Sequence, residues 1–154
     1  LMGGLGLKLL GAVRLSQAVT PIMEARGGGA IVCIGATAGK DPQPSRIPAA
    51  TSNTAMRSFV KAAALDLAPR GISINIIQPG LVRTQRQRFI AEYAAEQRKV
   101  SVDQVMKEQA ASSPTGRVTE PDEVADLTLF LSSRSVFNLT GAEIVLDAAA
   151  TPGT

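Results

Sequence analysis

At 154 residues, of which 45% are hydrophobic, the chain is long enough to bury a core of one domain or of part of one. The formal net charge of +3 is a modest excess of basic residues, and an aromatic content of 3% leaves few rings to stack on bases. We therefore expect no nucleic-acid partner. No apolar run approaches the ~20 residues of a membrane-spanning helix, so we expect no membrane partner.

The single cysteine, Cys33, lies in an apolar strand pattern and excludes an internal disulfide. Because the N-terminus also lacks the pattern of a secretory signal, we expect a reducing, cytoplasmic location. Position 1 is Leu, which a start codon does not supply, so we expect further residues upstream in the native protein. No metal site is expected.

Helical and strand patterns alternate along the first part of the chain. Apolar residues recur at helical spacing from Leu5 to Ala25, and Pro21 marks a bend or an exit near the end of this helix. After three glycines, the β-branched run from Ala30 to Gly35 predicts a strand buried on both faces. Residues 38–48 have the Gly, Pro and Asp content of a surface loop.

A second helix and a second strand follow this loop. The Ala- and Leu-rich stretch from Ala50 to Pro69 predicts a well-packed helix. The run from Ile72 to Ile77 predicts a strand, which the Pro79-Gly80 turn ends. Strand, helix and strand in this order predict a parallel crossover, which is right-handed by default.

The rest of the chain begins with a polar segment, which a further helix and a last strand follow. Residues 85–113 contain no Gly or Pro and predict one or two amphipathic helices that form a lid. Glu92 and Glu96 interrupt the basic residues there at helical spacing, which indicates a solvated helix face. A helix begins at Pro121 with Thr119 or Glu120 at its cap, and the stretch from Ala142 to Leu146 predicts a last strand.

These segments, in this order, resemble the carboxyl-side half of the short-chain dehydrogenase/reductase family. The similar stretches are Leu10 to Val19 with Pro21 and Met23, Ala63 to Arg70, Gly71 to Asn75, Pro79 to Thr84, Gly116 to Val118, Pro121 to Ala125, Phe130 to Ser133, and Thr140-Gly141. The resemblance implies one α/β domain over residues 1–154, part of a doubly wound, Rossmann-like parallel sheet whose amino-terminal cofactor-binding half is absent from this chain.

The family transfers a hydride between a nicotinamide ring and a carbonyl or alcohol carbon, with a Tyr that transfers the proton. A Lys lowers the pKa of that Tyr, a Ser holds the substrate oxygen, and an Asn completes the proton path. Aligned on this sequence, the Tyr, Lys and Ser places hold Ala49, Asn53 and Ala36, and Lys8 lies near the Asn place. Methyl groups and an amide cannot perform these roles, so the resemblance implies a catalytically degraded site.

Two residues are weak substitutes for the missing groups, Thr37 and Asp41, which follow the first strand. The resemblance also implies NAD or NADP as the cofactor, with contacts at its nicotinamide end. These cofactor-binding places are Pro79, Gly80, Val82 and Thr84. The glycines of Gly3-Gly4-Leu5-Gly6 follow no predicted strand, so we interpret them as a helix entry and not as a phosphate-binding turn.

The first strand would leave a long apolar edge, so we expect a homodimer or homotetramer, or a complex with an active relative. Three functions remain open. The first is a binding or partner subunit without dehydrogenase chemistry. The second is an NAD(P)-dependent oxidoreductase on a carbonyl or alcohol substrate, or a non-redox enzyme, that uses a non-standard site. The third is a truncated or decayed gene product.

Overall fold

The computed structural model describes residues 2–151, which form helices around a small parallel sheet. A continuous helix, α1, covers residues 2–25 and consists of Met2–Gly4, a π-helical segment Leu5–Leu10, and Gly11–Ala25. The other elements are β1 (Gly29–Ile34), α2 (Ile47–Leu67), β2 (Ile72–Pro79), α3 (Gln85–Arg98), α4 (Val102–Ala111), α5 (Pro121–Ser132) and β3 (Glu143–Leu146).

The three strands are parallel and lie in the order β1, β2, β3. The central strand β2, a strand as predicted, is buried along its whole length. The prediction that the first strand is buried on both faces is wrong, because β1 is mostly half-buried and leaves Ile34 47% exposed. The physical reason is position, because among residues 2–151 only β2 pairs with β1. The predicted parallel crossover from β1 through α2 to β2 is confirmed.

The core lies between α2 and the sheet. Its buried members are Cys33, Met56, Val60, Ala64, Leu67, Ile72, Ile74 and Ile76. Each large aliphatic side chain buried there contributes about 1.5–3 kcal/mol to folding. Burial raises the pKa of the Cys33 thiol, which makes it a packing residue and not a reactive thiolate.

Prolines lie near the ends of two helices, and one of these ends differs from the prediction. Helix α2 begins at Ile47, three residues earlier than expected, because Pro48 fits the first turn, where its missing N–H leaves no bond unmade. Helix α1 continues through Pro21 and ends at Ala25, as predicted, and the proline costs it only the one hydrogen bond that the amide of residue 21 would donate. The predicted loop between β1 and α2 contains two short 3₁₀ turns, Thr37–Gly39 and Pro44–Arg46.

The turn from α1 to β1 places two backbone segments in close contact. Gly28 has a φ of +117° and lies against the carbonyl oxygen of Gly71, which a Cβ at this position would overlap. Only glycine fits both the backbone conformation and the space. This contact joins the entry of β1 to the entry of β2.

The predicted polar segment is a pair of helices, α3 and α4, which pack on each other through Ala91, Ala95 and Val105. Several basic residues in and just before these helices form ion pairs, as expected for a solvated face. The pairs are Arg83–Glu120, Arg88–Glu92 and Arg98–Glu108. Among residues 2–151, no helix is both long and apolar enough to cross a bilayer.

Candidate functional site

The carboxyl ends of β1 and β2 lie side by side and open into the loops that carry the predicted site residues. The amide of Gly35 donates to the carbonyl oxygen of Ile77 at 2.8 Å, which aligns the two strand ends. In parallel α/β sheets this edge is where ligands bind. The cleft at this edge is therefore the candidate site.

Asn53 lies at the base of the cleft and is fully buried. Its Nδ2 donates to the carbonyl oxygen of Ala49 at 2.8 Å, and its Oδ1 accepts from Lys8 Nζ at 3.3 Å. The loop after β1 covers this amide closely, because a Cβ on Gly39 would lie 2.9 Å from Asn53 Cβ. The side chain is thus held in one orientation, with its oxygen toward Lys8.

Lys8 reaches Asn53 from the π-helical segment of α1. Such segments re-aim a side chain relative to a regular helix and are frequent at functional sites. Burial, followed by the positive charge of Arg86, lowers the pKa of the half-buried Lys8 ammonium. Arg86 lies in the first turn of α3 and is exposed.

The contact between Lys8 and Asn53 joins two of the predicted places. The resemblance puts an Asn near position 8 and a Lys at position 53, and this chain carries the reverse at both. The cleft therefore contains one ammonium and one amide in contact, each on the helix where the family carries the other. This contact is consistent with the alignment that puts Lys8 near the family's Asn place.

The Ser and Tyr places hold half-buried methyl groups. Ala36 follows the end of β1 in an extended conformation, and Ala49 lies in the first turn of α2. Of the weak substitutes, Thr37 is half-buried at the start of a 3₁₀ turn. Asp41 is exposed, and both of its carboxylate oxygens accept from Gln43 Nε2 at 3.1 Å. Asp41 is thus engaged locally.

Of the four predicted cofactor-binding residues, Pro79 ends β2 and the other three lie in the loop that follows it, at the same edge of the sheet. Gly80 donates its amide to Leu146, and a Cβ there would lie only 2.8 Å from Asp147 Cβ, so packing alone requires glycine. Val82 forms a bridge with Thr119, and Thr84 caps α3 by accepting from the amide of Gln87 at 3.3 Å. Contacts within the chain thus hold this loop in place.

The early glycines do not form a phosphate-binding turn. Gly3, Gly4 and Gly6 lie within α1, as the helix-entry interpretation predicts. They are helical residues and do not form a turn between a strand and a helix, which is the unit that binds a pyrophosphate.

Sequence reasoning missed a polar chain behind the cleft. Gln78 Nε2 donates to Glu143 Oε1 at 2.6 Å, and Glu143 Oε2 pairs with Arg57 Nη2 at 2.7 Å. Arg57 Nη1 then donates to the carbonyl oxygen of Gly39 at 2.9 Å. Gln78, which directly follows the run from Ile72 to Ile77, was the available signal, because a buried amide requires partners.

Comparisons with known proteins agree with the geometry. Residues 5–151 match the family model described as Enoyl-(Acyl carrier protein) reductase. Dehydrogenase/reductase SDR family member 4 of Homo sapiens is 31% identical over 132 residues, which cover 86% of this chain and 44% of that protein. The 2,3-dihydro-2,3-dihydroxybenzoate dehydrogenase of Escherichia coli is 30% identical over 145 residues, which cover 93% of this chain and 57% of that protein.

A solved structure has the same fold over nearly the whole chain. L-sorbose reductase from Gluconobacter frateurii, complexed with NADPH and L-sorbose, gives a TM-score of 0.90 at 25% identity. The match covers 96% of this chain and 56% of that one. The chain thus spans about half the length of the relatives that it matches.

Proposed function

Because the chain belongs to the short-chain dehydrogenase/reductase family, we propose that it is a binding or partner subunit that keeps the family's ligand cleft without tyrosine-dependent proton transfer. The observation that carries this proposal is the buried Asn53, whose amide is held between the Ala49 carbonyl and Lys8. Its neighbours in the Ser and Tyr places are methyl groups.

Proton transfer at a carbonyl oxygen requires a group that titrates, and alanine and asparagine side chains do not. The chain contains no His, and its single Tyr, Tyr93, is 62% exposed on α3. A positioned acid contributes about 10²–10⁴-fold to such a reaction. Without it, the family reaction is expected to be slow by at least that factor.

The proposed cofactor is NAD or NADP. When bound, a nicotinamide dinucleotide supplies or accepts a hydride. Pro79 and the loop that contains Gly80, Val82 and Thr84 lie at the strand ends, a position suited to contact the nicotinamide end of such a molecule. Support for the cofactor comes from the family relationship, including the NADPH complex of L-sorbose reductase.

The test uses the full-length native protein, titrated calorimetrically with NAD(H) and NADP(H), and then assayed for nicotinamide turnover with a panel of carbonyl and alcohol substrates. We expect binding without turnover. The matched variant restores the family residues as Lys8→Asn, Ala36→Ser, Ala49→Tyr and Asn53→Lys. We expect its turnover to exceed that of the wild type by about 10²-fold or more. Wild-type turnover equal to that of the restored variant would overturn the proposal.

A second candidate is an oxidoreductase with a non-standard acid, and the lowered pKa of Lys8 favours it. An ammonium with a lowered pKa gives up its proton more readily, whereas a guanidinium does not. Wild-type turnover that is lost both in Lys8→Met and in Lys8→Arg would support this candidate. Turnover lost instead in Thr37→Val or Asp41→Asn would assign the acid to the loop after β1.

A further inference from the structure

The loop after β1, residues 36–43, is attached to helix α2 through the carbonyl group of Gly39. Two side chains of α2 donate to this carbonyl oxygen, Thr54 Oγ1 at 3.0 Å and Arg57 Nη1 at 2.9 Å. Gly39 is buried against the same helix, since a Cβ there would lie 3.0 Å from the carbonyl carbon of Asn53. We call residues 36–43 the cover loop, because they lie directly over Asn53.

Arg57 is itself held in place by a carboxylate. Its Nη2 pairs with Glu143 Oε2 at 2.7 Å, and the two side chains are only 31% and 24% exposed, so water screens this pair less than a surface pair. Glu143 begins β3, and its Oε1 accepts from Gln78 Nε2 at 2.6 Å. Gln78 is fully buried and directly precedes Pro79 at the end of β2. One carboxylate thus connects Arg57 to the end of the central strand.

The two donors to Gly39 differ in how firmly they are directed. A guanidinium presents its N–H groups in one rigid plane, so the ion pair with Glu143 also determines where Nη1 of Arg57 points. The hydroxyl group of Thr54 is neutral and rotates, and a neutral bond is about half as strong as a charge-assisted one. Arg57 therefore provides the stronger and better directed of the two attachments.

We propose that Arg57 is a positioning residue of the ligand cleft, which holds the cover loop closed over Asn53 in the orientation that Glu143 gives it. Because Glu143 also holds Gln78, the same carboxylate fixes the cover loop relative to the loop that follows β2. These two loops leave the sheet at the same edge and form two sides of the cleft. Arg57 acts through Gly39 and requires no contact with the ligand. The inference deepens the proposed function and rests on it only for the use of this cleft by a ligand.

Hydrogen exchange of the full-length protein, followed by mass spectrometry, tests the hold on the cover loop. The amides of residues 39–41 donate to carbonyl groups within this loop, so its peptide has protection to lose. We expect Arg57→Met to accelerate exchange in residues 36–43 about tenfold or more, because a charge-assisted bond is lost. Lys61→Met is the matched control, since Lys61 is an exposed cation one turn further along α2, and should leave this exchange unchanged.

A double variant, Arg57→Glu with Glu143→Arg, separates positioning from general stabilisation. It keeps an ion pair between the two positions, and the guanidinium at position 143 can donate to Gln78 Oε1, which accepts no bond within residues 2–151. A carboxylate at position 57 has no hydrogen to donate to the Gly39 carbonyl. We expect urea denaturation to show a recovery of stability relative to Arg57→Met, while exchange of residues 36–43 stays fast.

Two exchange results would overturn the inference. One is wild-type protection of residues 36–43 in Arg57→Met or in the double variant. The other is an equal acceleration in residues 72–77 of β2, which would show that Arg57 stabilises the whole domain and not the cover loop.

Calorimetric titration with NADPH tests the consequence for the cleft. We expect both variants of Arg57 to bind NADPH more weakly than Lys61→Met does, because the binding-competent arrangement is less populated. Equal affinity in all variants would contradict the positioning role. A wild-type protein that binds no NADPH would contradict the proposed function instead, and exchange of residues 36–43 would still decide whether Arg57 holds the cover loop.

Discussion

At the residue scale, the turn between α1 and β1 depends on a single glycine. Gly28→Ala would combine an unfavourable backbone conformation, φ +117°, with overlap against the Gly71 carbonyl. We expect the free energy of unfolding to fall by about 2–4 kcal/mol, measured by urea denaturation. Gly27→Ala is the matched control, because its φ is +79° but its Cβ would meet no atom within 4 Å. Equal losses in the two variants would contradict the steric part of the argument.

Two substitutions just after β3 are expected to raise the free energy of unfolding. Ala148 and Ala149 have φ angles of +57° and +61°, in the left-handed region that costs a non-glycine residue about 1–2 kcal/mol. Ala148→Gly and Ala149→Gly remove this strain but add unfolded-chain entropy worth about 0.4–1 kcal/mol. We expect each variant to raise the free energy of unfolding by about 0.5–1 kcal/mol. Ala150→Gly, outside this region, should not be stabilised in the same thermal or urea assays.

The family resemblance predicted part of the candidate site. Aligning the helix from Ala50 with the family's helix, and counting back to the end of the first strand, gave the places of Ala36, Ala49 and Asn53. The contact of Lys8 with Asn53 could not be predicted, because it joins residues 45 positions apart and depends on a π-helical segment. Periodicity detects a helix but not a local shift of its hydrogen bonds.

At the element scale, the start of α5 contains a reciprocal cap. The side chain of Arg117 and the backbone amide of Glu120 lower the pKa of Glu123 from 4.5 to about 2. Because this pKa is depressed in the folded state, its stabilising effect is present above about pH 4.5 and is lost as the pH falls through about 2.

Glu123→Gln tests this cap. We expect the variant to melt below the wild type at pH 7, and the difference to shrink as the pH falls from about 4.5 to about 2. Thermal melts followed by circular dichroism across this range provide the measurement. Glu96→Gln is the control, because Glu96 is an exposed carboxylate on α3 and is in none of the ion pairs of residues 2–151. A difference that is constant with pH would show that the Glu123 carboxylate does not act as described.

The sequence predicted most elements, but with unequal accuracy. The strand β2 and the start of α5 at Pro121 could be predicted, because local composition determines both. The half-buried state of β1 could not be predicted. Its sequence is that of an interior strand, and burial depends on which neighbours a strand has in space.

At the scale of the whole molecule, exposed apolar side chains lie on the two helices that flank the sheet edge. Leu15 on α1 and Leu65 on α2 are 68% and 75% exposed. With the open edge of β1, they support the proposal of a homodimer or homotetramer, or of a complex with an active relative. The proposed face consists of α1 and α2.

One chain has a mass of 16.0 kDa. We therefore expect the native mass of the wild-type protein to be that of a dimer or a tetramer. Leu65→Glu should shift the native mass toward the monomer, because it places a charge in the proposed apolar face. Tyr93→Glu is the control and should leave the native mass unchanged, because Tyr93 is comparably exposed but lies on α3, outside the proposed face. A stable wild-type monomer in native mass spectrometry would contradict the proposal.

The π-helical segment Leu5–Leu10 has a consequence for how this helix can vary in length. A π-helical turn contains one more residue than an α-helical turn, so deleting one residue between Lys8 and Gly11 would restore regular winding. The parts of α1 before and after the deletion would then keep nearly the same orientation around the axis, because π-helical winding is what accommodates the extra residue. A single-codon deletion would thus leave Gly11–Ala25 packed on the sheet and Lys8 on the side of Asn53. The length of this segment can therefore change by one residue without changing which group faces Asn53.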